Sequence, residues 1–215
     1  MHASFLLAAL LPTTFAHFIL NYPTSLGFDD DRQSIGPCGG YDIVFGANDT
    51  NVTVESFAIA SRSTHPQANW LFRATLSTAE PFNWTNLLPV VQQSGLGDFC
   101  IPSFSAPSSF VGQRGVLQIV QSAVDGNLYQ CAAVNFVAGA QSGLPSQCTN
   151  GSSVTASLTS MTSLSGTSDN STSPSASGSS SATSAAPSAT STQSSGATQL
   201  VGGLLAVMPA ALLLL

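Results

Sequence analysis

From Asn69 to Leu76 the chain sets Trp70, Phe72, Ala74 and Leu76 against Leu71, Arg73 and Thr75. A period of 2 with one apolar face predicts a half-buried strand. Asn51 to Ile59, rich in Val, Thr, Phe and Ile, predicts another. Gly115–Gln121 and Leu128–Val137 add two more, and Val124-Asp125-Gly126-Asn127 between them carries an Asp-Gly turn signal, so this pair reads as a hairpin. One short helix is expected around Trp84 to Gln93, interrupted by Pro89. Gly36-Pro37-Cys38-Gly39-Gly40 reads as a tight loop pinned by a disulfide. Short strands separated by turn residues predict an all-β fold, an immunoglobulin-like antiparallel β-sandwich.

Composition divides the chain into segments. Residues 1–16 read as a secretory signal: Leu6 to Leu11 is a short apolar core, and Thr14-Phe15-Ala16 ends on a small residue. Residues 17–148 have the mixed composition of one domain that can bury a full core. Residues 149–195 are nearly all Ser, Thr, Ala, Gly and Pro, which predicts a disordered, O-glycosylated stalk. Residues 196–215 end in the apolar run Leu200–Leu215, short for a membrane span and followed by no basic residue. With Ser194, Ser195 and Gly196 before it, this tail is expected to direct attachment of a glycosylphosphatidylinositol (GPI) anchor at Ser195 and then to be removed. A plain transmembrane anchor is the alternative.

Export brings an oxidising compartment, and the four cysteines Cys38, Cys100, Cys131 and Cys148 then imply two disulfides. Three pairings are possible; the expectation leans to Cys38–Cys148 and Cys100–Cys131. Sequons at Asn48, Asn51, Asn83, Asn150 and Asn170 are candidate glycosylation sites. The formal net charge is −6 and there is no lysine, so phosphate polymers and anionic membrane surfaces are poor partners, and nucleic acid is excluded. An acidic surface attracts cations.

Cleavage after Ala16 would leave His17 as the first residue, with a free α-amine beside its imidazole. Those two nitrogens can chelate one ion. His65, in Ser63-Thr64-His65-Pro66, is the other histidine of the mature chain and would complete a set of three nitrogens, a histidine brace. Tetragonal nitrogen coordination suits Cu(II). The competing reading makes His17 an incidental cleavage point and His65 a solvated loop residue.

His17-Phe18, Tyr22-Pro23, Gly36-Pro37-Cys38-Gly39-Gly40, His65-Pro66 with Trp70, and Leu128-Tyr129-Gln130-Cys131-Ala132, taken in this order, are identified with a family. The chain resembles the fungal copper acquisition factor group, similar in fold to lytic polysaccharide monooxygenases. The resemblance covers nearly the whole chain, stalk and anchor signal included. It implies a sandwich that holds Cu(II) by His17 and His65, serves copper acquisition or handling at the cell surface, and does not cleave polysaccharide. One departure stands out. The family commonly has an Asp after the Cys-Ala of the Cys131 strand, where this chain has Ala133. Water, Asp98, Asp125 or one of Asp29–Asp31 could then supply the missing ligand. Tyr129 reads as a strand core residue, with an axial neighbour of the metal as the alternative.

Hydrolytic chemistry finds no support. No carboxylate pair is marked by spacing, and the domain has no Gly-x-Ser-x-Gly turn. A copper monooxygenase would use the same His17 and His65, but would need exposed aromatics to dock a polymer. Trp70 alternates with core residues, and Trp84, inside a sequon, is the candidate for exposure. A structural cell-wall protein is the third reading. The sequence-based expectation is therefore a GPI-anchored, monomeric copper(II) protein on the extracellular face of the membrane or in the wall, partnered by copper and by a cell-surface copper transporter.

Overall fold

The computed structural model describes residues 16–167. The expected signal before residue 16, Asn170, Ser195 and the apolar tail lie outside the described residues.

The described chain is an all-β sandwich. Its strands are β1 (Phe18–Tyr22), β2 (Thr50–Thr53), β3 (Phe57–Ser63), β4 (Gln67–Thr75), β5 (Thr85–Asn86), β6 (Val91–Ser94), β7 (Gly97–Phe104), β8 (Arg114–Ala123), β9 (Gly126–Val137) and β10 (Thr155–Leu158). The only helical turn among the described residues is the 3₁₀ segment Ser108–Phe110. One sheet runs β1-β3-β7; the other runs β10-β6-β4-β8-β9-β2, with β5 beside β4. All pairings are antiparallel except β2 with β9.

Trp70 of β4 locks the sheets together. Phe18 of β1 meets its ring edge-on at 5.1 Å, and Phe99 of β7 lies 5.2 Å from it. Around this contact Phe57, Ile59, Phe72, Phe104, Leu117 and Phe136 close the core. Aromatic pairs of this kind add about 0.5–1.5 kcal/mol each beyond burial.

Several expectations change. The predicted helix from Trp84 to Gln93 is instead the strands β5 and β6 on either side of Pro89. Pro removes a donor that a helix needs, and the residues on both sides find partners across the sheet on β4. Trp84 is buried rather than exposed, stacked on Phe82 and lying under the Arg73 guanidinium at 4.7 Å. The predicted strand from Asn51 to Ile59 is broken in two, because Val54 and Glu55 bond to Val137 and Gly139 at the crossing from one sheet to the other. β4 buries both faces, not one. Its second face meets Val90, Val120, Tyr129 and Leu164.

That last contact moves the domain boundary. Residues 149–167 were assigned by composition to the stalk, yet β10 pairs with β6 from Thr155↔Ser94 to Leu158↔Val91, and Leu164 is buried. The disulfide pairing is also corrected: the bonds are Cys38–Cys131 and Cys100–Cys148. The Cys38 loop lies on β9, where Pro37 O is 3.5 Å from the Cys131 sulfur. Cys100 lies on β7 against the segment leading to β10, held by Asn150, whose amide accepts from Cys100 N (2.8 Å) and donates to Cys100 O (3.3 Å). The sheets therefore separate the cysteines that the sequence-based expectation had joined.

Candidate metal centre

His17 sits just before β1, and Thr64 follows β3, its antiparallel partner. This pairing brings the start of the domain to the residue next to His65. Thr64 holds His17 at both backbone ends. Its hydroxyl accepts from His17 N (2.7 Å) and donates to His17 O (2.9 Å), and its own N–H donates to the same carbonyl (3.0 Å). The His17 ring is held from outside: Nε2 donates to Asp30 O at 3.1 Å, and Phe28 packs edge-on at 6.3 Å. A carbonyl can only accept, so Nε2 carries the proton and Nδ1 of the neutral ring keeps its lone pair. That is the nitrogen on the same side of the ring as the backbone, the one a chelate with the α-amine requires.

His65 is 1% exposed. Ser63 fixes its backbone, with Oγ accepting from His65 N (3.1 Å) and from Gln121 Nε2 (2.8 Å). Its Nε2 lies 2.7 Å from Oδ1 of Asp125. Its Nδ1 is buried and has no hydrogen-bond partner among the described residues. An unpartnered buried polar atom costs about 1–3 kcal/mol. A ring in that state fits a metal ligand better than a surface histidine.

Asp125 reaches His65 because the β8–β9 hairpin closes through a two-residue turn, Val124-Asp125, with Ala123 paired to Gly126. Gly126 has φ +118°, a conformation that favours glycine. The Asp-Gly signal was thus legible as a turn, but its carboxylate also belongs to the site. Among the described residues no three His, Cys, Asp or Glu side chains converge to hold an ion. The nitrogen-bearing side chains near this edge of the sandwich are His17, held by Thr64, and His65, held by Ser63 and Asp125.

Of the other sequence candidates, Asp30 touches His17 only through its backbone, and Asp29 caps the N–H of Asp31. Asp98 pairs with Arg62 at 3.5 Å. Tyr129 is a strand residue whose hydroxyl reaches Gly166 O. Ala133 is not at the site. It lies on β9, seven residues beyond Gly126, roughly 24 Å along the strand. There it lines a small cavity with Thr24, Ser25, Leu26, Gly46, Ala47, Asn48 and Asp49. The expectation that a carboxylate at position 133 would face the metal is overturned by this placement. Sequence reasoning missed Thr64, Ser63 and Gln121, whose types carry no signal of their own; adjacency to His65 was the one clue for Thr64. The sequon residues Asn48, Asn51, Asn83 and Asn150 are all exposed.

The family model described as copper acquisition factor BIM1-like matches residues 15–153, and the chain belongs to this family. It is 36% identical over 161 residues to an uncharacterised protein of Aspergillus fumigatus, covering 70% of this chain and 65% of that protein. It is 30% identical over 164 residues to the lytic polysaccharide monooxygenase-like protein X325 of Yarrowia lipolytica, covering 72% and 61%. It is 31% identical over 171 residues to the copper acquisition factor BIM1 of Cryptococcus neoformans, covering 73% and 77%. The chain thus spans less than two thirds of the length of the first two relatives.

Proposed function

We propose that this member of the copper acquisition factor family binds one Cu(II) through the α-amine of His17, the imidazole of His17 and the imidazole of His65. The observation that carries this reading is the clamp of Thr64 on His17 beside a buried His65 whose Nδ1 has no partner among the described residues. Tetragonal nitrogen donors favour Cu(II) over other common divalent ions. His65 offers two modes: its orphaned Nδ1, or Nε2 with the Asp125 carboxylate as an added oxygen. The names of two relatives, one for copper acquisition and one for likeness to a polysaccharide monooxygenase, support a copper ligand.

The role proposed is copper acquisition or handling at the outer face of the cell membrane, without polysaccharide cleavage. The chain is held there by a lipid attached near Ser195 and passes copper to a surface transporter. Both tryptophans are buried, which argues against a stacking platform for a polymer. The relative named for its likeness to a monooxygenase keeps oxidative cleavage as the second reading.

The test is secretion from a fungal host, mass spectrometry of the processed N-terminus, Cu(II) titration and an oxidative assay on cell-wall polysaccharide. The expected result is a chain beginning at His17 that binds copper one to one and releases no oxidised sugar. His65→Ala should weaken binding at least about tenfold, or about 1.4 kcal/mol. A different first residue, or an unchanged affinity in His65→Ala, overturns the brace. Phospholipase C specific for phosphatidylinositol should release the cell-bound form; retention unchanged after deletion of Leu200–Leu215 overturns the anchor.

A further inference from the structure

The first residues of a domain are poorly ordered unless something ties them down. A chelate built on residue 17 therefore needs a tie directly behind it. β1 can hydrogen-bond only one neighbouring strand, β3, because it is the edge of its sheet. Its register with β3 turns the N–H and C=O of Phe18 and the N–H of Leu20 away from that partner, yet Phe18 and Leu20 are 1% and 4% exposed. With no further strand beside β1, those backbone groups need side-chain partners to avoid being buried unpaired.

Two side-chain amides take the place of the missing strand. Gln33 Nε2 donates to Phe18 O at 2.6 Å, and its Oε1 accepts from Phe18 N at 3.4 Å. Gln130, from β9 of the other sheet, accepts from Leu20 N at 3.1 Å and donates through Nε2 to the same Phe18 O. Both lone pairs of that carbonyl are thus used. Each glutamine is 1% exposed, and they are locked to one another because Gln33 O accepts from Tyr129 N at 2.8 Å. A glutamine amide offers two N–H donors and a carbonyl acceptor on separate atoms of one uncharged side chain, long enough to reach two backbone groups at once. A carboxylate would lack the donor, and an aliphatic side chain would lack both.

We propose that Gln33 and Gln130 are positioning residues for the N-terminal chelate: they hold the Phe18 backbone so that the amine and Nδ1 of His17 are presented to the ion already ordered. The inference rests on the copper reading above. Partners outside the ligand shell typically change metal affinity about 10- to 100-fold. Here the effect is exerted through the backbone, and the ligands themselves are untouched.

The experiment uses the processed protein, with Gln33→Leu and Gln130→Leu compared with wild type and with Gln118→Met. Gln118 is a glutamine of equal burial that bonds to Arg73 and Pro37 O. Cu(II) titration, the copper electron paramagnetic resonance spectrum and amide exchange at Phe18 and Leu20 are read at a temperature where circular dichroism shows each variant folded. Both leucine variants should weaken copper at least about tenfold, alter the spectrum and expose the two amides. Gln118→Met should lower the melting temperature and leave the spectrum as in wild type. Should a leucine variant not fold, Gln33→Met and Gln130→Met, which keep an unbranched stem, take its place. Wild-type loading with unchanged affinity and spectrum in the glutamine variants overturns the inference. So does fast exchange of Phe18 and Leu20 in wild type, whether or not any variant folds. A wild-type protein that does not load copper, with those amides protected, overturns the copper reading instead.

Discussion

Asp125 Oδ1 and His65 Nε2 lie 2.7 Å apart although 60 residues separate them in sequence. The contact joins a hairpin tip to the loop before β4. It places a carboxylate, 26% exposed, against an imidazole that is 2% exposed at its side chain. The buried ring and the accessible acid thus meet at the boundary between core and solvent.

Asp125→Asn keeps the shape and the acceptor but removes the charge. It should weaken Cu(II) about tenfold and change the copper spectrum, while the melting temperature moves little. Asp125→Ala should weaken binding further. Calorimetric titration and electron paramagnetic resonance check this. Equal affinities for wild type and Asp125→Ala mean that the carboxylate is only a hydrogen-bond partner of an uninvolved ring.

Thr64→Val removes a hydroxyl that both accepts from and donates to His17. The isosteric change leaves the backbone bond between Thr64 N and His17 O in place. Stability should fall by about 1 kcal/mol, and copper affinity should fall with it. Urea unfolding read beside Cu(II) titration separates the two effects.

Ala133→Asp places a carboxylate where the residue is 4% exposed and where Asp49 lines the same cavity. An uncompensated buried charge costs about 3–5 kcal/mol, and the nearby acid adds repulsion. The variant should melt at markedly lower temperature. Its folded fraction should bind copper as wild type does. Tighter copper binding would show that position 133 faces the ion after all.

Ending the chain at Cys148 keeps both disulfides but removes β10 and Leu164. β6 would lose one of its two partners and become the sheet edge, and the face formed by Leu71, Val90, Val120 and Tyr129 would be uncovered. Losing Leu164 alone forfeits about 1.5–3 kcal/mol of burial, so the melting temperature should drop by roughly 5 °C or more. A chain ending at Thr167 should show no such drop. Differential scanning calorimetry of the two proteins decides the boundary.

The sequence determined this protein's class and much of its layout. Short apolar periods of 2 and turn residues sufficed for a sandwich, since strand formation depends on neighbours a few positions apart. The β8–β9 hairpin was legible because Asp125 in the turn and Gly126 directly after it, at φ +118°, specify the reversal locally. His17 and His65 stood out in the sequence as candidate ligands because residue type alone marks a nitrogen donor. What only the tertiary structure decided are contacts between distant segments. The pairing Cys38–Cys131 spans 93 residues and Cys100–Cys148 spans 48, and any of three pairings satisfied the count. Residues 155–164 looked like stalk because composition averages over Ser and Thr. A few apolar side chains and an open strand edge were enough to recruit them. Gln33 and Gln130 read as ordinary polar residues until β1 lay beside them, 15 and 112 residues away from Phe18. A buried amide is explained only by the backbone group it satisfies, and sheet packing alone determines which group that is.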